Sequence, residues 1–423
     1  MSTIAPVQRL RMIGPAIIVA AVVCGPGSIL TASRVGASYG YSFVWLIVLL
    51  AVLMTCSTAL AARIGVSLEA TPCREVSNRI GFGWGLAVGL IVFLITAGFQ
   101  TSNNIAVLTA LGALLPEDTR LPVDLPLLLV AALNVGLIAV VYKSRELYRP
   151  VELCMKAFVL VMVVAFLINA IFARPSLSAA LAGLVPRLPG GMSDTAFLAV
   201  AGLTGTTFSI TGAMYQAYLV RDRGWGLDHL RRGWIDSVVG ISVLAFITMV
   251  IMLTAAATFF GTPAADELNT LGDVAAQLQP LFGPAAVVLF TIGIFAGALS
   301  SFLVNSMIGG QFLADGLGRG DSMDSAWARH GTVIALLTGF AGTLVGRLTP
   351  FDPVTLIIMA QSATVLGLPA LALTLIFLAS RRRADGRRVA PMWLLLVAST
   401  AIPITLALAI RTGLNLYTRF TGG

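Results

Sequence analysis

The residues best suited to chemistry in this sequence are polar or conformationally unusual groups set inside long apolar segments. The first apolar segment is interrupted by Gly25-Pro26-Gly27-Ser28. Proline removes a backbone donor and glycine tolerates an unwound backbone, so this tetrapeptide predicts a broken helix. The freed backbone groups are available to a small solute, and Ser28 is expected either to cap the following helix or to donate to the solute. An ordinary proline kink is the alternative interpretation.

A weaker interruption lies in the sixth apolar segment. This segment contains Gly202 and Gly205, and then Thr211-Gly212-Ala213-Met214-Tyr215-Gln216, but no proline. If the first ten segments form two halves of five, segments one and six occupy corresponding positions. Paired broken helices at such positions indicate the midplane binding site of a membrane transporter.

The elements that must position these groups are membrane-spanning helices. Hydrophobic residues make up 57% of the 423 residues and charged residues only 11%, whereas about a quarter of a soluble domain is charged. Continuous apolar runs exclude a β-barrel, whose strands alternate in polarity. The sequence predicts an all-α membrane protein of about eleven spans, near 13–38, 42–66, 83–114, 122–142, 151–173, 195–220, 236–261, 279–315, 331–348, 352–380 and 390–415.

The distribution of charge predicts the orientation of these spans. Most basic residues lie in loops on the same side as the N-terminus, including the cluster 381–388, whereas Asp266, Glu267 and Asp273 lie on the opposite side. The positive-inside rule therefore predicts an integral inner (plasma) membrane protein with a cytoplasmic N-terminus and an external C-terminus. Because the net charge of +8 is spread over short loops, the expected partner is the lipid bilayer and not nucleic acid.

The loops are too short for a soluble domain, so residues 1–423 are expected to form a single transmembrane domain. Spans one to five occupy about 13–173, spans six to ten about 195–380, and an extra span about 390–415. On span five, Glu152 and Lys156 are four residues apart and predict an ion pair.

Several segments resemble the Nramp (natural resistance-associated macrophage protein) family of transporters. Residues 12–15, 25–28 and 36–41 are similar to the family's first span, whose break reads Asp-Pro-Gly-Asn. Ala296 to Gln311 resembles its eighth span, and Gln361 lies in a segment that resembles its tenth. The resemblance covers nearly the whole chain. It implies a LeuT-like inverted repeat of 5+5 helices, with helices one and six broken, and alternating access.

The sequence departs from the family at the metal site that the resemblance implies. Family members hold a divalent metal with the Asp and Asn of the first break and with a Met and a carbonyl of span six. Gly25 and Ser28 stand at the Asp and Asn positions, Met214 matches the Met, and Thr211 matches the carbonyl donor.

The resemblance also implies changes in the residues that handle protons in the family. Gln100 and Asn103 stand where family members have acids in span three, and Tyr215 and Gln216 replace the Pro-His of span six. These substitutions describe a divergent branch of the family that lacks the metal-binding Asp.

The missing carboxylate predicts a different cargo. A buried divalent cation needs anionic compensation, whereas an open helix N-terminus favours an anion. The sequence therefore predicts a secondary transporter of a small anion such as bicarbonate or a small carboxylate. Arg34 would attract the anion or only anchor its helix at the interface. Sodium is the candidate coupling ion, held by Thr211, Ser300 and Ser301, and no other cofactor or resident metal is expected.

Two alternatives to an anion transporter are a divalent cation transporter for magnesium or manganese without the usual proton coupling, and a non-transporting membrane sensor. An enzyme is not expected, since the spans lack a buried catalytic constellation. The candidate binding residues are Gly25, Pro26, Gly27, Ser28, Thr211, Gly212, Ala213, Met214, Tyr215 and Gln361. The candidate cavity or coupling residues are Arg34, Gln100, Asn103, Gln216, Ser300, Ser301 and Asn305.

Overall fold

The computed structural model describes residues 14–113, 124–144, 146–189, 194–268, 283–348, 364–383 and 385–421. In these ranges the chain is almost entirely helical. The α-helices are α1 (Pro15–Val23), α2 (Pro26–Tyr39), α3 (Val44–Ser67), α4 (Pro72–Arg79), α5 (Phe82–Ala113), α6 (Leu125–Lys143), α7 (Tyr148–Ala173), α8 (Leu177–Ala182), α9 (Asp194–Thr207), α10 (Ile210–Asp222), α11 (Leu230–Phe259), α12 (Pro284–Gly316), α13 (Ala326–Leu348), α14 (Leu368–Ala379), α15 (Met392–Ser399) and α16 (Ala401–Thr421).

Eight of the described helical segments are long and apolar enough to cross a membrane. They are α3, α5, α6, α7, α11, α12, α13 and the stretch Met392–Leu414 that joins α15 to α16. Helices α1 and α2 together form a ninth span, bent by 58° at its break. The predicted sixth span corresponds to α9 and α10, and α14 lies within the described part of the predicted tenth.

The first span breaks where the sequence predicts. α1 ends at Val23 and α2 begins at Pro26, with Gly25 as the N-cap. Proline is tolerated at the first helical position, because that residue has no intrahelical donor to lose. All nine residues of α1 are buried. This short helix is therefore surrounded by protein instead of lipid.

The second break precedes the polar segment that the sequence analysis associated with it. α9 ends at Thr207 and α10 begins at Ile210, so Thr211 to Gln216 are helical. Ser209 ends the interruption as an N-cap, since its Oγ accepts the Gly212 N–H at 3.1 Å. A serine cap needs neither proline nor glycine. The sequence therefore carries no clear signal at Ser209, and the interruption was associated with Thr211 to Gln216 instead.

Small residues allow the inner helices to approach closely. A side chain at Gly65 of α3 would collide with the Ala217 carbonyl of α10, and one at Gly310 of α12 would collide with the Ala328 carbonyl of α13. Close backbone approach at glycine is typical of membrane helix packing. The same applies beside the first break, where a side chain at Gly297 of α12 would collide with the Cys24 carbonyl that follows α1.

Candidate functional site

A cavity of about 30 Å³ lies where the two breaks meet, roughly enough for two water molecules. It is lined by Val22, Val23, Gly25, Gly27, Ser28, Phe99, Asn103, Gly205, Thr206, Ser209, Ser301 and Asn305. These residues come from both halves of the first span, from the second break, and from α5 and α12. No carboxylate is among them.

Ser28 joins the two breaks. It is the third residue of α2, and its N–H donates to the Gly25 carbonyl at 3.0 Å. Its Oγ lies 2.5 Å from the Val23 carbonyl and 2.9 Å from the Thr206 carbonyl. The prediction that Ser28 caps α2 is therefore wrong: Gly25 holds that position, without a side-chain hydrogen bond.

Two serines of α12 hold the end of α1. The Ser300 Oγ donates to the Ala21 carbonyl at 2.8 Å, and the Ser301 Oγ donates to the Val22 carbonyl at 2.9 Å. A serine hydroxyl has one proton and two lone pairs. Since the Ser28 and Ser301 protons point at carbonyls, the cavity faces hydroxyl oxygens that can accept.

A chain of amides sets the polarity of the α5 wall. The Gln100 Nε2 donates to the Phe302 carbonyl at 2.8 Å, and the Asn103 Nδ2 donates to the Gln100 Oε1 at 2.9 Å. A carbonyl can only accept, so it fixes the Gln100 amide, which in turn fixes the Asn103 amide. Asn103 is left with its oxygen and its second N–H.

Three of the side chains around the cavity, Ser28, Ser301 and Asn103, therefore present an oxygen that can accept a hydrogen bond or a cation. The anion prediction relied on the amides at the start of α2, but Pro26 has no N–H, and the N–H groups of Ser28 and Ile29 are bonded to the Gly25 carbonyl, which leaves the Gly27 N–H as the remaining donor there. Oxygen lone pairs from Ser28, Ser301 and Asn103 suit a cation or a water molecule better than an anion.

The other candidate binding residues lie outside this lining. Thr211, Gly212, Ala213, Met214 and Tyr215 are buried in α10, and Pro26 begins α2. Gln361 lies outside the described residues. Among the cavity or coupling candidates, Asn103, Ser301 and Asn305 line the cavity, whereas Arg34, Gln100, Gln216 and Ser300 do not.

Two buried aspartates of the described residues escaped the sequence analysis. Asp236 of α11 accepts the N–H groups of Gly14 at 2.8 Å and Ala16 at 2.9 Å, and the Gln216 Nε2 at 3.0 Å. It therefore caps α1 from a helix more than 200 positions away in sequence. Gln216 belongs to this cap and not to the cavity. No local pattern signals such a contact.

Asp315 is the second of these buried aspartates. It accepts the Thr71 hydroxyl at 2.6 Å, the Tyr218 hydroxyl at 2.6 Å and the Cys73 N–H at 3.0 Å. It thereby ties α4, α10 and α12 together. Both aspartates stabilise the bundle away from the cavity, and neither supplies a charge to it.

The predicted ion pair on α7 is confirmed. The Lys156 Nζ lies 2.6 Å from the Glu152 Oε1. Arg223, which follows α10, contacts the same carboxylate oxygen at 2.8 Å. The pair is therefore part of a three-residue network that joins α7 to the end of α10.

The known proteins to which this chain is similar, described next, are all named as metal transporters. The chain is 28% identical over 389 residues to the divalent metal cation transporter MntH of Deinococcus radiodurans, covering 90% of this chain and 84% of that protein. It is 24% identical to MntH of Pectobacterium carotovorum, covering 95% and 93%. A mutant of the manganese transporter of Eremococcus coleocola superposes with a TM-score of 0.81 at 16% identity, covering 100% of this chain and 90% of that chain. This likeness confirms the predicted LeuT-like fold.

These relatives overturn the predicted cargo. The sequence predicts bicarbonate or a small carboxylate, but the relatives are named as divalent metal cation transporters and the similar structures as manganese transporters. The anion prediction is wrong because it treated the missing Asp as an opening for negative charge. It did not count the oxygen acceptors that replace it.

The family itself follows from a match along nearly the whole chain. The model of the family described as "Natural resistance-associated macrophage protein-like" matches residues 16–415. This range includes both breaks, the cavity and the helices that line it. The chain therefore belongs to the Nramp family of membrane transporters.

Proposed function

We propose that this chain transports a divalent metal cation through the cavity between its two broken helices. The observation that carries the proposal is the polarity of the lining, in which Ser28, Ser301 and Asn103 present oxygen acceptors. The relatives named as divalent metal cation transporters support it. The breaks provide the hinge positions that alternating access requires.

The ligand chemistry favours magnesium over manganese. Hydroxyl, amide and carbonyl oxygens are hard ligands, and magnesium tolerates them because it retains several waters. Met214, whose sulfur would favour a softer metal, is buried in α10 away from the cavity lining. Since the described lining residues include no carboxylate, we expect weak binding and rapid release.

The same lining argues against the proton coupling of the family pattern. Gln100 and Asn103 are neutral amides held by hydrogen bonds, so neither gains or loses a proton near neutral pH. We propose that the cation moves without a coupled proton. Sodium coupling stays a prediction, which the flux assay described next tests when sodium is replaced by potassium.

The experiment is flux into proteoliposomes that contain the purified full chain. Fluorescent indicators report magnesium and manganese, and labelled bicarbonate is measured in parallel. We expect cation flux in the wild type and about a tenfold lower flux in Ser28→Ala, the loss expected for one cavity hydrogen-bonding group. Bicarbonate flux without cation flux would refute the proposal.

Ser306→Ala provides the matched control. Ser306 is also a buried serine, but its Oγ donates to the Phe302 and Leu303 carbonyls of its own helix at 2.9 and 2.8 Å. It does not line the cavity. If Ser306→Ala reduces flux as much as Ser28→Ala, the loss reflects helix stability and not cation binding.

A further inference from the structure

A cluster of arginines lies between α14 and α15. Residues 381–388 contain five arginines and one aspartate, and all of them except residue 384 are described. The Arg383 N–H donates to the Arg387 carbonyl at 2.8 Å, and the Val389 N–H donates to the Arg381 carbonyl at 2.9 Å. This arginine hairpin (381–388) is therefore ordered by its own backbone and lies at the ends of two membrane helices.

The hairpin carries more positive charge than its acid can balance. Arg383 pairs with Asp385 at 2.8 Å, and Arg381 stacks over the Phe377 ring with its guanidinium carbon 3.8 Å from the centroid. The other three arginines are exposed and form no ion pair with any residue in the described ranges; they are Arg382, Arg387 and Arg388.

Arg63 adds a sixth cation from α3. Its side chain is partly buried, and its Nε is buried without a hydrogen-bond partner in the part of the chain that the structure describes. α3 packs against both α14 and α15, the two helices that the hairpin joins. Six guanidinium groups on α3 and the adjoining hairpin, with Asp385 as the hairpin's one carboxylate, favour the binding of an anion.

We propose that Arg63 and the arginine hairpin bind the phosphate of an anionic phospholipid of the phosphatidylglycerol class. Guanidinium groups bind phosphate oxygens through paired, charge-assisted hydrogen bonds. Basic pockets between membrane helices are typical sites for such head groups. Met392 and Trp393, each about half exposed at 51% and 52%, begin the adjacent helix and place the acyl chains along its apolar surface.

Native mass spectrometry of the purified full chain tests this proposal. The protein is equilibrated with equal amounts of phosphatidylglycerol and phosphatidylcholine, and the retained lipids are counted. We expect the wild type to retain phosphatidylglycerol preferentially. The double variant Arg63→Gln/Arg383→Gln should lower this preference about thirtyfold, from about 1 kcal/mol for each arginine near a membrane surface.

A control of equal charge change separates this site from general attraction. Arg74→Gln/Arg319→Gln removes two exposed arginines elsewhere and should keep the wild-type preference. Arg63→Lys/Arg383→Lys should keep part of it, because the charge remains. If the Gln double variant does not fold, the exposed Arg388→Gln should still lower the preference about fivefold.

Three results would overturn the proposal. One is equal retention of the two lipids by the wild type, and another is an equal loss of preference in the Arg74/Arg319 control. The third concerns the thermal stability of the protein, measured with inorganic phosphate and with phosphatidylglycerol. If both raise it equally and both effects require Arg63 and Arg383, the ligand is a free phosphate. None of these readouts depends on the transported ion.

Discussion

Placing a carboxylate in the cavity distinguishes a cation from an anion by the sign of the effect. Asn305 lines the cavity and is 9% exposed, and it has no hydrogen-bond partner among the described residues. Asn305→Asp therefore adds a negative charge without breaking a described hydrogen bond. A cation should bind more tightly to this variant, whereas an anion should bind more weakly.

The magnitude follows from charge and burial. Two unit charges about 4 Å apart attract by about 4 kcal/mol at an effective dielectric constant of about 20, so a divalent cation gains about 8 kcal/mol. In the empty site the buried carboxylate holds a proton, and releasing that proton when the cation binds offsets several kcal/mol of the gain. A net gain of about 3 kcal/mol corresponds to roughly a hundredfold tighter dissociation constant. Release should slow accordingly, so turnover is expected to fall while affinity rises.

Isothermal titration calorimetry with magnesium and manganese measures the affinity, and proteoliposome flux measures the turnover. Asn169→Asp is the matched control, since Asn169 is buried in α7 and does not line the cavity. A folded Asn305→Asp protein whose cation affinity is unchanged or weaker would refute the assignment of the cavity as a cation site. Equal tightening in the Asn169→Asp control would refute it as well.

Three further predictions concern the surroundings of the cavity. Gln100→Leu releases the Asn103 amide to rotate, so cation affinity in the calorimeter should fall about fivefold, the value of one hydrogen bond. Asp236→Asn leaves buried donors of α1 unsatisfied and should lower the free energy of unfolding by about 3 kcal/mol, measured by denaturant titration against the exposed control Asp228→Asn. Cation flux should change less than about twofold between about pH 6 and 8, since no titratable group is among the described cavity residues; a steep pH dependence would restore proton coupling.

The sequence predicted those features that arise from local chemistry. The Gly25-Pro26 break in the first span is visible because proline and glycine act on their own backbone. The pair Glu152–Lys156 is visible because residues four apart share a helix face. The apolar runs define the spans for the same reason, since each span must be apolar along its own length.

The features that the sequence did not reveal arise from contacts between distant segments. Asp236 and Gly14 are 222 positions apart, and Ser28 and Thr206 are 178 apart. The anion prediction failed at this level. It considered α2 alone, whose N-terminus favours negative charge, and did not include the carbonyls of α1 and α9 that Ser28 binds.

The complete burial of α1 has a consequence for leakage across the bilayer. Nine helical residues span about 13–14 Å at 1.5 Å each, nearly half of the roughly 30 Å hydrocarbon thickness. Because protein surrounds α1 on every side, movement of α1 out of its position would leave a water-filled channel between the cavity and the nearer aqueous phase. A carrier built this way must seal the opposite entrance before α1 moves, or it would conduct as an open pore.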